Sequence, residues 1–541
     1  AALRRTHHEH RLAIVAESAS AAAERLREFA AGQAVAEVVV GWASPGGRPG
    51  LVFVFTGQGQ QWVGMGRDLL ESEPVFRSAL EACDAEFRPL AGRSLLDDLA
   101  ADASWLERTD VAQPALFALQ VALAELWKSW GIVPDAVVGH SLGEVAAAHV
   151  AGALSLSDAI RIVFLRGRLM HQSAGRGRMV AVALSAGEAA KVVAETGGAV
   201  CVAAENGPTW TVLSGDADAV EALVGELGSR GVTCRYLPGE YAFHSSHMEP
   251  YRAELVKALA GLEPISPRIP MYSTVTGKVI GPEELTAEYW GRNLREPVKF
   301  APAIMELLRA GHGAFVELGA HPALSAMVLA CGESEGVEVT VVPSLRRERP
   351  GRPVMLQSLG ALYAKGFEPA WREVNGGAGV HVTLPRYAWQ HRRFWFDKAT
   401  AVRGERRRAA EAAEPSGAQA ALPGRRLPTA MPTYELRVEP GLESYMRAHR
   451  LDGDPVLPAA AYIELALAAA ARSGGAGRHD LDDVAFHEAL RLRDGEPRVV
   501  QVALHTDRAG GWRFEIHSAP EPEGDEAREW TLHASGRGRP A

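Results

Sequence analysis

The sequence predicts an α/β protein. A large domain is built on a parallel sheet, a ferredoxin-like subdomain is inserted into it, and an α+β unit closes the chain. Three observations carry this reading. From about residue 49 to residue 345, short apolar runs alternate with helical stretches, as in a parallel sheet with crossover helices. One run, LVFVF (51–55), is apolar throughout, as in a strand buried on both faces. Residues 177–238 then change period: MVAVAL, AVCVAAEN, TWTVLSG and TCRYLP read as strands, with helices after the first and third. That is the β-α-β-β-α-β order of a ferredoxin-like unit. Past residue 422 the chain reads strand (TYELRV), a long Ala-rich helix (AAAYIELALAAAA), and three more strands.

At 541 residues the chain is too long for one core, and three or four domains are expected. It is 47% hydrophobic and 23% charged, as in ordinary globular protein. Its net charge of −9 offers no electrostatic footprint for nucleic acid. The four cysteines, Cys83, Cys201, Cys234 and Cys331, include no C-x-x-C pair. That argues against a zinc site or a disulfide framework and fits a cytoplasmic protein. No run of about 18 apolar residues would span a membrane. The chain shows neither a signal peptide nor an initiator Met and reads as a piece of a longer polypeptide.

In chain order, residues 1–48 read strand, helix, strand. Their HHEH run (7–10) is too crowded for one tetrahedral metal site and reads as a polar face. After LVFVF comes the Gly-rich loop GQGQQ (57–61). No G-K-[ST] follows, so it is not a phosphate loop; it reads as a loop turning backbone N–H groups toward a pocket. Helices are expected at 72–88, 94–101 and 112–130. A further helix, SDAIRIVFLRGRLMHQSAG, carries Arg166 between apolar positions; a lone helix Arg is usually a snorkelling side chain. His244 and His247 precede another helix. Residues 346–397 hold one helix and an aromatic, Arg-rich stretch that reads as a wrapping segment. Residues 398–421 read as a flexible linker, and 422–541 as a new globular segment.

The stretch DAVVGHSLGEVAAAHVAG (135–152) organises the large domain. DAVVG reads as a buried strand and EVAAAHVAG as a helix. Between them GHSLG fits G-x-S-x-G, the sharp corner that exposes a Ser hydroxyl at a helix N-terminus. Ser141 placed there suits nucleophilic acyl transfer. The pentapeptide alone also fits a turn without chemistry; the strand before it and the helix after it favour the nucleophile.

GQGQQ, GHSLGE (139–144), FLRGRLM (164–170), YAFHSSHMEP (241–250) and WGRNLREPVKF (290–300) stand in the order seen in malonyl-type acyltransferases of modular type I polyketide synthases, which the chain resembles. HHEHRLAIVAES resembles their ketosynthase-to-acyltransferase linker, and LPRYAWQHRRFW (384–395) their post-acyltransferase linker. AHRLDGDPVLPAAAYIELAL resembles the opening of their dehydratase, with His449, Gly453 and Pro458 on the pattern H-x-x-x-G-x-x-x-x-P. The resemblance implies a hydrolase-like acyltransferase domain over 49–345 and the first hot-dog half of a dehydratase over 422–541.

The resemblance also implies roles. Ser141 attacks the thioester of an extender-unit coenzyme A, malonyl-CoA first among candidates, and His244 serves as base and then acid. The acyl group passes to the phosphopantetheine of an acyl carrier protein, in a synthase whose upstream ketosynthase is a further partner. No cofactor or metal is expected to be bound. The N–H groups of Gln58 and Leu142 form the oxyanion hole, Arg166 grips the malonyl carboxylate, and Gln113 lines the pocket. In the family a main-chain carbonyl orients the His, and Asn293 matches that position. His140 and His247 have bland readings, turn packing and helix start. Phe243 in the YAFH tetrad goes with malonyl, as does Leu142, whereas Tyr241 and Gln61-Trp62 pull toward methylmalonyl. His449 is half of a dehydratase site whose Asp-bearing second half is missing, so this segment should not dehydrate alone. The rival class is an α/β esterase or thioesterase, which needs an acid at a strand end between Ser and His; a ferredoxin-like insert fills the span from 141 to 244, and no convincing acid lies on such a strand end. A third reading is a catalytically silent docking piece.

Overall fold

The computed structural model describes residues 2–3, 5–44, 46–101, 108–175, 177–376, 383, 422–438, 449–474, 479–492, 496–506, 511–521 and 528–540. It divides into two compact units, Ala1–Tyr387 and Ala388–Ala541. The linker expected at 398–421 and the aromatic stretch 384–395 lie outside the described residues.

In the first unit, β1 (His10–Ile14) and β2 (Val38–Trp42) pair antiparallel around the helix Ala19–Ala30, whose first turn is capped by Ser18. The helix Gly351–Ala364 packs on this pair. Arg11 Nη1 donates to the carbonyls of Tyr363 and Phe367 at 3.1 and 3.0 Å. His7 Nδ1 meets Tyr363 Oη at 2.6 Å. The HHEH run is thus a packing face for a helix that the sequence reading had assigned to a separate linker.

Chain order then gives β3 (Gly50–Phe55) and β4 (Ala136–Gly139). A smaller sheet follows with β5 (Gly177–Val182), β6 (Val200–Gly207), β7 (Trp210–Asp216) and β8 (Cys234–Tyr236). The chain returns through β9 (Met271–Ser273), β10 (Lys278–Val279), β11 (His312–Leu318) and β12 (Thr340–Pro343). The large sheet has the order β10-β9-β4-β3-β11-β12 and is parallel except for β10. The small one, β6-β7-β5-β8, is antiparallel, as the ferredoxin-like reading requires.

β3 shows why the large sheet sits in the middle of its domain. Leu51, Phe53 and Phe55 point into one core and Val52 and Val54 into the other, all five essentially inaccessible. Burying each such side chain contributes about 1.5–3 kcal/mol. The helix Thr109–Ser129 is buried almost all round against the first face, and Phe300–Arg309 covers the second. The helix expected at 72–88 is two, Arg67–Ser72 and Pro74–Ala91. Pro74 lacks the N–H to continue the first and sits at the start of the second.

The second unit is a six-stranded antiparallel sheet folded on the helix Ala459–Gly474. Its strands are β13 (Arg425–Arg426), β14 (Thr433–Val438), β17 (His479–Phe486), β18 (Arg498–Thr506), β19 (Trp512–Pro520) and β20 (Thr531–Pro540), in the order β13-β14-β18-β19-β20-β17. A two-stranded hairpin, β15 (Arg450–Leu451) and β16 (Asp454–Pro455), turns at Asp452-Gly453, both with positive φ. β17 escaped the sequence reading because HDLDDVAF is charged and mostly exposed; it is an edge strand with a bulge.

Candidate active site

β4 ends at Gly139 and its helix begins at Gly143, so His140, Ser141 and Leu142 make the whole corner. Ser141 has φ 53°, a strained value for a residue with a side chain. The two glycines are required by contact. A Cβ on Gly139 would lie 2.2 Å from the Glu144 nitrogen, and one on Gly143 2.2 Å from the Phe55 carbonyl oxygen. The His140 N–H donates to that same Phe55 carbonyl at 2.8 Å, docking the corner on β3.

His244 comes from the segment after β8 and also has positive φ, 58°. Its Nε2 lies 2.8 Å from Ser141 Oγ, and its Nδ1 2.9 Å from the Glu296 carbonyl oxygen. A carbonyl only accepts, so Nδ1 carries the proton. Nε2 is therefore the acceptor for the Ser141 hydroxyl. Burial, reinforced by the positive charge of Arg166, pulls the His244 pKa down to about 3. The ring is neutral at physiological pH, the state a general base needs.

Arg166, on the helix Leu156–His171, is buried, and its Nη2 donates to Ser141 Oγ at 2.8 Å. Its Nε is buried without a partner, and no carboxylate among the described residues forms an ion pair with it. Burial lowers its pKa to about 10, against an opposing pull from Glu144, which leaves it cationic. This is no snorkelling side chain: a charged fork stands beside the serine with donor capacity unfilled at Nε.

The GQGQQ loop lies against the corner. A Cβ on Gly57 would sit 3.1 Å from His140 Nδ1. Gln58 Nε2 donates to Thr109 Oγ1 at 3.1 Å, and its Oε1 accepts from Gln113 Nε2 at 3.2 Å. Gln113 Oε1 is buried and unpaired. Among the described residues, neither the Gln58 nor the Leu142 N–H donates to another protein group. Tyr241 and Phe243 stack with centroids 4.7 Å apart, and Tyr241 Oη meets His171 Nδ1 at 3.2 Å. His140 is held by Asn206 Oδ1 at 2.8 Å and His247 by Asp216 Oδ1 at 2.6 Å, both outside the serine–histidine contact.

Asn293 needs correction. The carbonyl that orients His244 belongs to Glu296, three residues further on. Glu296 is the C-cap of the helix Ala287–Arg295, where an extended backbone turns its carbonyl out of the helix. Asn293, in the last turn, instead sends Nδ2 to the Ser141 carbonyl at 3.1 Å and to Glu144 Oε2 at 2.6 Å. Glu144 was missed. It is inaccessible, and its other oxygen accepts from Tyr289 Oη at 3.1 Å and from the Thr274 N–H. Its place in GHSLGE was the available signal, but its partners sit on distant elements.

In the second unit His449 opens the hairpin and lines a cavity of about 360 Å³ with Val456, Leu457, Tyr462, Phe486 and Glu488. The Val456 N–H donates to the His449 carbonyl at 2.9 Å.

Fold and site together describe an α/β domain that brings a serine, a histidine and a buried guanidinium to one strand–helix corner. The acyl transferase domain family matches residues 52–368, more than half of the chain, and the polyketide synthase dehydratase domain family matches 422–519. The chain belongs to the acyltransferases of the modular type I polyketide synthases and carries the N-terminal part of a dehydratase behind that domain. It is 38% identical over 548 residues to Polyketide synthase GfsE of Streptomyces halstedii, covering 98% of this chain and 14% of that protein. It is 41% identical over 399 residues to Erythronolide synthase EryA2 of Saccharopolyspora erythraea, covering 73% of this chain and 11% of that one. The acyltransferase domain from module 8 of the salinomycin polyketide synthase superposes with a TM-score of 0.66 at 39% identity, over 68% of this chain and 88% of that domain. The chain therefore spans only a small part of the synthases it matches.

Proposed function

We propose that the first unit loads an extender unit, malonyl in preference to methylmalonyl, from coenzyme A onto the phosphopantetheine thiol of an acyl carrier protein, through an acyl-enzyme on Ser141. The observation that carries this reading is the meeting of three groups at one oxygen. Ser141 Oγ lies 2.8 Å from a neutral His244 Nε2 and 2.8 Å from the buried Arg166. Ser141 gives its proton to His244 as Oγ attacks the thioester carbon. The N–H groups of Leu142 and Gln58 receive the oxyanion, a donor of this kind being worth roughly 3–4 kcal/mol. His244 passes the proton to the departing coenzyme A sulfur. The carrier thiol then repeats the sequence in reverse, giving ping-pong kinetics. Arg166 turns its unfilled donors to the malonyl carboxylate as a bidentate pair. A neutral ester offers such a fork nothing, and the partner of His244 Nδ1 is a carbonyl, not the acid of a hydrolase triad.

Malonyl is favoured because the Phe243 ring, pinned against Tyr241, leaves less room for a C2 methyl than a small side chain there. Gln113 lines the same pocket. The partners are the carrier protein and the upstream ketosynthase of the same synthase. In the second unit His449 supplies one half of a dehydratase site and does not dehydrate alone. Transfer of radiolabelled extender units from coenzyme A to a carrier protein tests the reading; absence of transfer by the folded chain overturns it.

A further inference from the structure

Glu144 is a carboxylate with no access to solvent, and none of the chemistry above uses it. Its two oxygens face three donors from two other parts of the chain: the Thr274 N–H just after β9, and Tyr289 Oη and Asn293 Nδ2 on the helix Ala287–Arg295. Tyr289 Oη is itself bonded to Ser273 Oγ at 2.7 Å, and Thr274 Oγ1 donates to the Gly139 carbonyl at 2.9 Å. Asn293 Nδ2 also reaches the Ser141 carbonyl at 3.1 Å, while its Oδ1 is left buried and unpaired. The amide is spent on holding two acceptors of the corner.

The same helix ends at Glu296, whose carbonyl orients His244. One route therefore runs from the nucleophile to its base without passing through the reacting atoms. It goes from the Ser141 carbonyl to Asn293, braced by Glu144, along less than one helical turn to Glu296, and on to His244 Nδ1. Nucleophile and base come from segments 103 residues apart. Both have strained φ, so surrounding structure must hold them in place.

We propose that Glu144 and Asn293 form a positioning clamp that sets the Ser141–His244 geometry. This rests on the acyl-transfer reading of Ser141 and His244. The clamp touches no substrate, so it acts on turnover and not on binding. Glutamine at 144 cannot replace it: with one oxygen for three donors, it leaves an N–H group facing another in either orientation.

The test uses the full chain with Glu144→Gln, Asn293→Ala, the double variant and Ser141→Ala, each checked for folding by thermal melting. Displacement of a catalytic pair by about 1 Å costs on the order of 100-fold. We expect kcat to fall about 10- to 100-fold on that scale for malonyl and acetyl thioesters alike, with KM for malonyl-CoA within about twofold. The double variant should be no slower than the worse single one, because the two residues act as one unit. Folded Glu144→Gln and Asn293→Ala enzymes with wild-type kcat, beside a dead Ser141→Ala, would overturn the clamp and leave the acyl-transfer reading standing. Additive losses, or losses in KM instead of kcat, would overturn it as well. Wild-type transfer by Ser141→Ala would remove the reading on which it rests.

Discussion

Arg166 and His244 meet at a single atom: Nη2 of one and Nε2 of the other each lie 2.8 Å from Ser141 Oγ. The hydroxyl donates to the imidazole and accepts from the guanidinium, so the oxygen is oriented before any substrate arrives. The positive charge also helps to keep His244 unprotonated.

That relationship fixes a pH dependence. The His244 pKa is lowered to about 3, so the base stays neutral as pH falls through the usual imidazole range near 6.5. Acylation of Ser141 should keep its rate between about pH 7.5 and about pH 5.5, where an ordinary His, with its pKa near 6.5, would be mostly protonated. The same shift makes protonation oppose folding. The unfolded His takes up a proton below about 6.5 and the folded one only toward about 3, so stability declines as pH drops across that window. Stopped-flow acylation against pH checks the first statement; a limb centred near 6.5 and assigned to His244 would contradict it.

Arg166→Ala should cost malonyl transfer roughly 100-fold, the scale of about 3 kcal/mol for a hydrogen bond to a charged group. Acetyl transfer should change little, because acetyl brings no carboxylate to pair. The ratio of kcat/KM for the two thioesters is the readout. Equal losses for both would make Arg166 a support for Ser141 only.

In competition, kcat/KM should favour malonyl-CoA over methylmalonyl-CoA. One methyl group in an apolar pocket sets the expected discrimination at roughly 10–200-fold. Phe243→Ser should move the ratio toward methylmalonyl without inverting it, since Tyr241 and the rest of the wall remain. A wild-type preference for methylmalonyl would refute the assignment.

The second unit should form no enoyl product from a β-hydroxyacyl thioester, because in the proposed reading His449 supplies only one half of a dehydratase site. Chromatographic detection of dehydration by this chain would contradict that.

Much of the fold was legible because its strands are short, apolar and regularly spaced. LVFVF could hardly be anything but a central strand, and the glycines of GHSLG required a tight corner. The site was legible only in part. Ser141 followed from that corner, but His244 and Arg166 came from resemblance, since no local pattern says that residues 103 and 25 positions away will arrive at one oxygen. Glu144 stayed silent because a Glu in the first turn of a helix normally faces water. Only the fold shows Thr274, Tyr289 and Asn293 closing over it. Asn293 was drawn to His244 by sequence position, whereas the helix end delivers the carbonyl of Glu296 instead.

The central claim is that Ser141 carries the acyl group, and mass spectrometry of the intact chain tests it most directly. After mixing with malonyl-CoA, the wild-type protein should gain one malonyl group, mapped by peptide fragmentation to Ser141 and removed by a carrier-protein thiol. Ser141→Ala should gain none. A malonyl adduct of equal yield on Ser141→Ala, or transfer to the carrier with no adduct on the wild type at any time, would contradict the account.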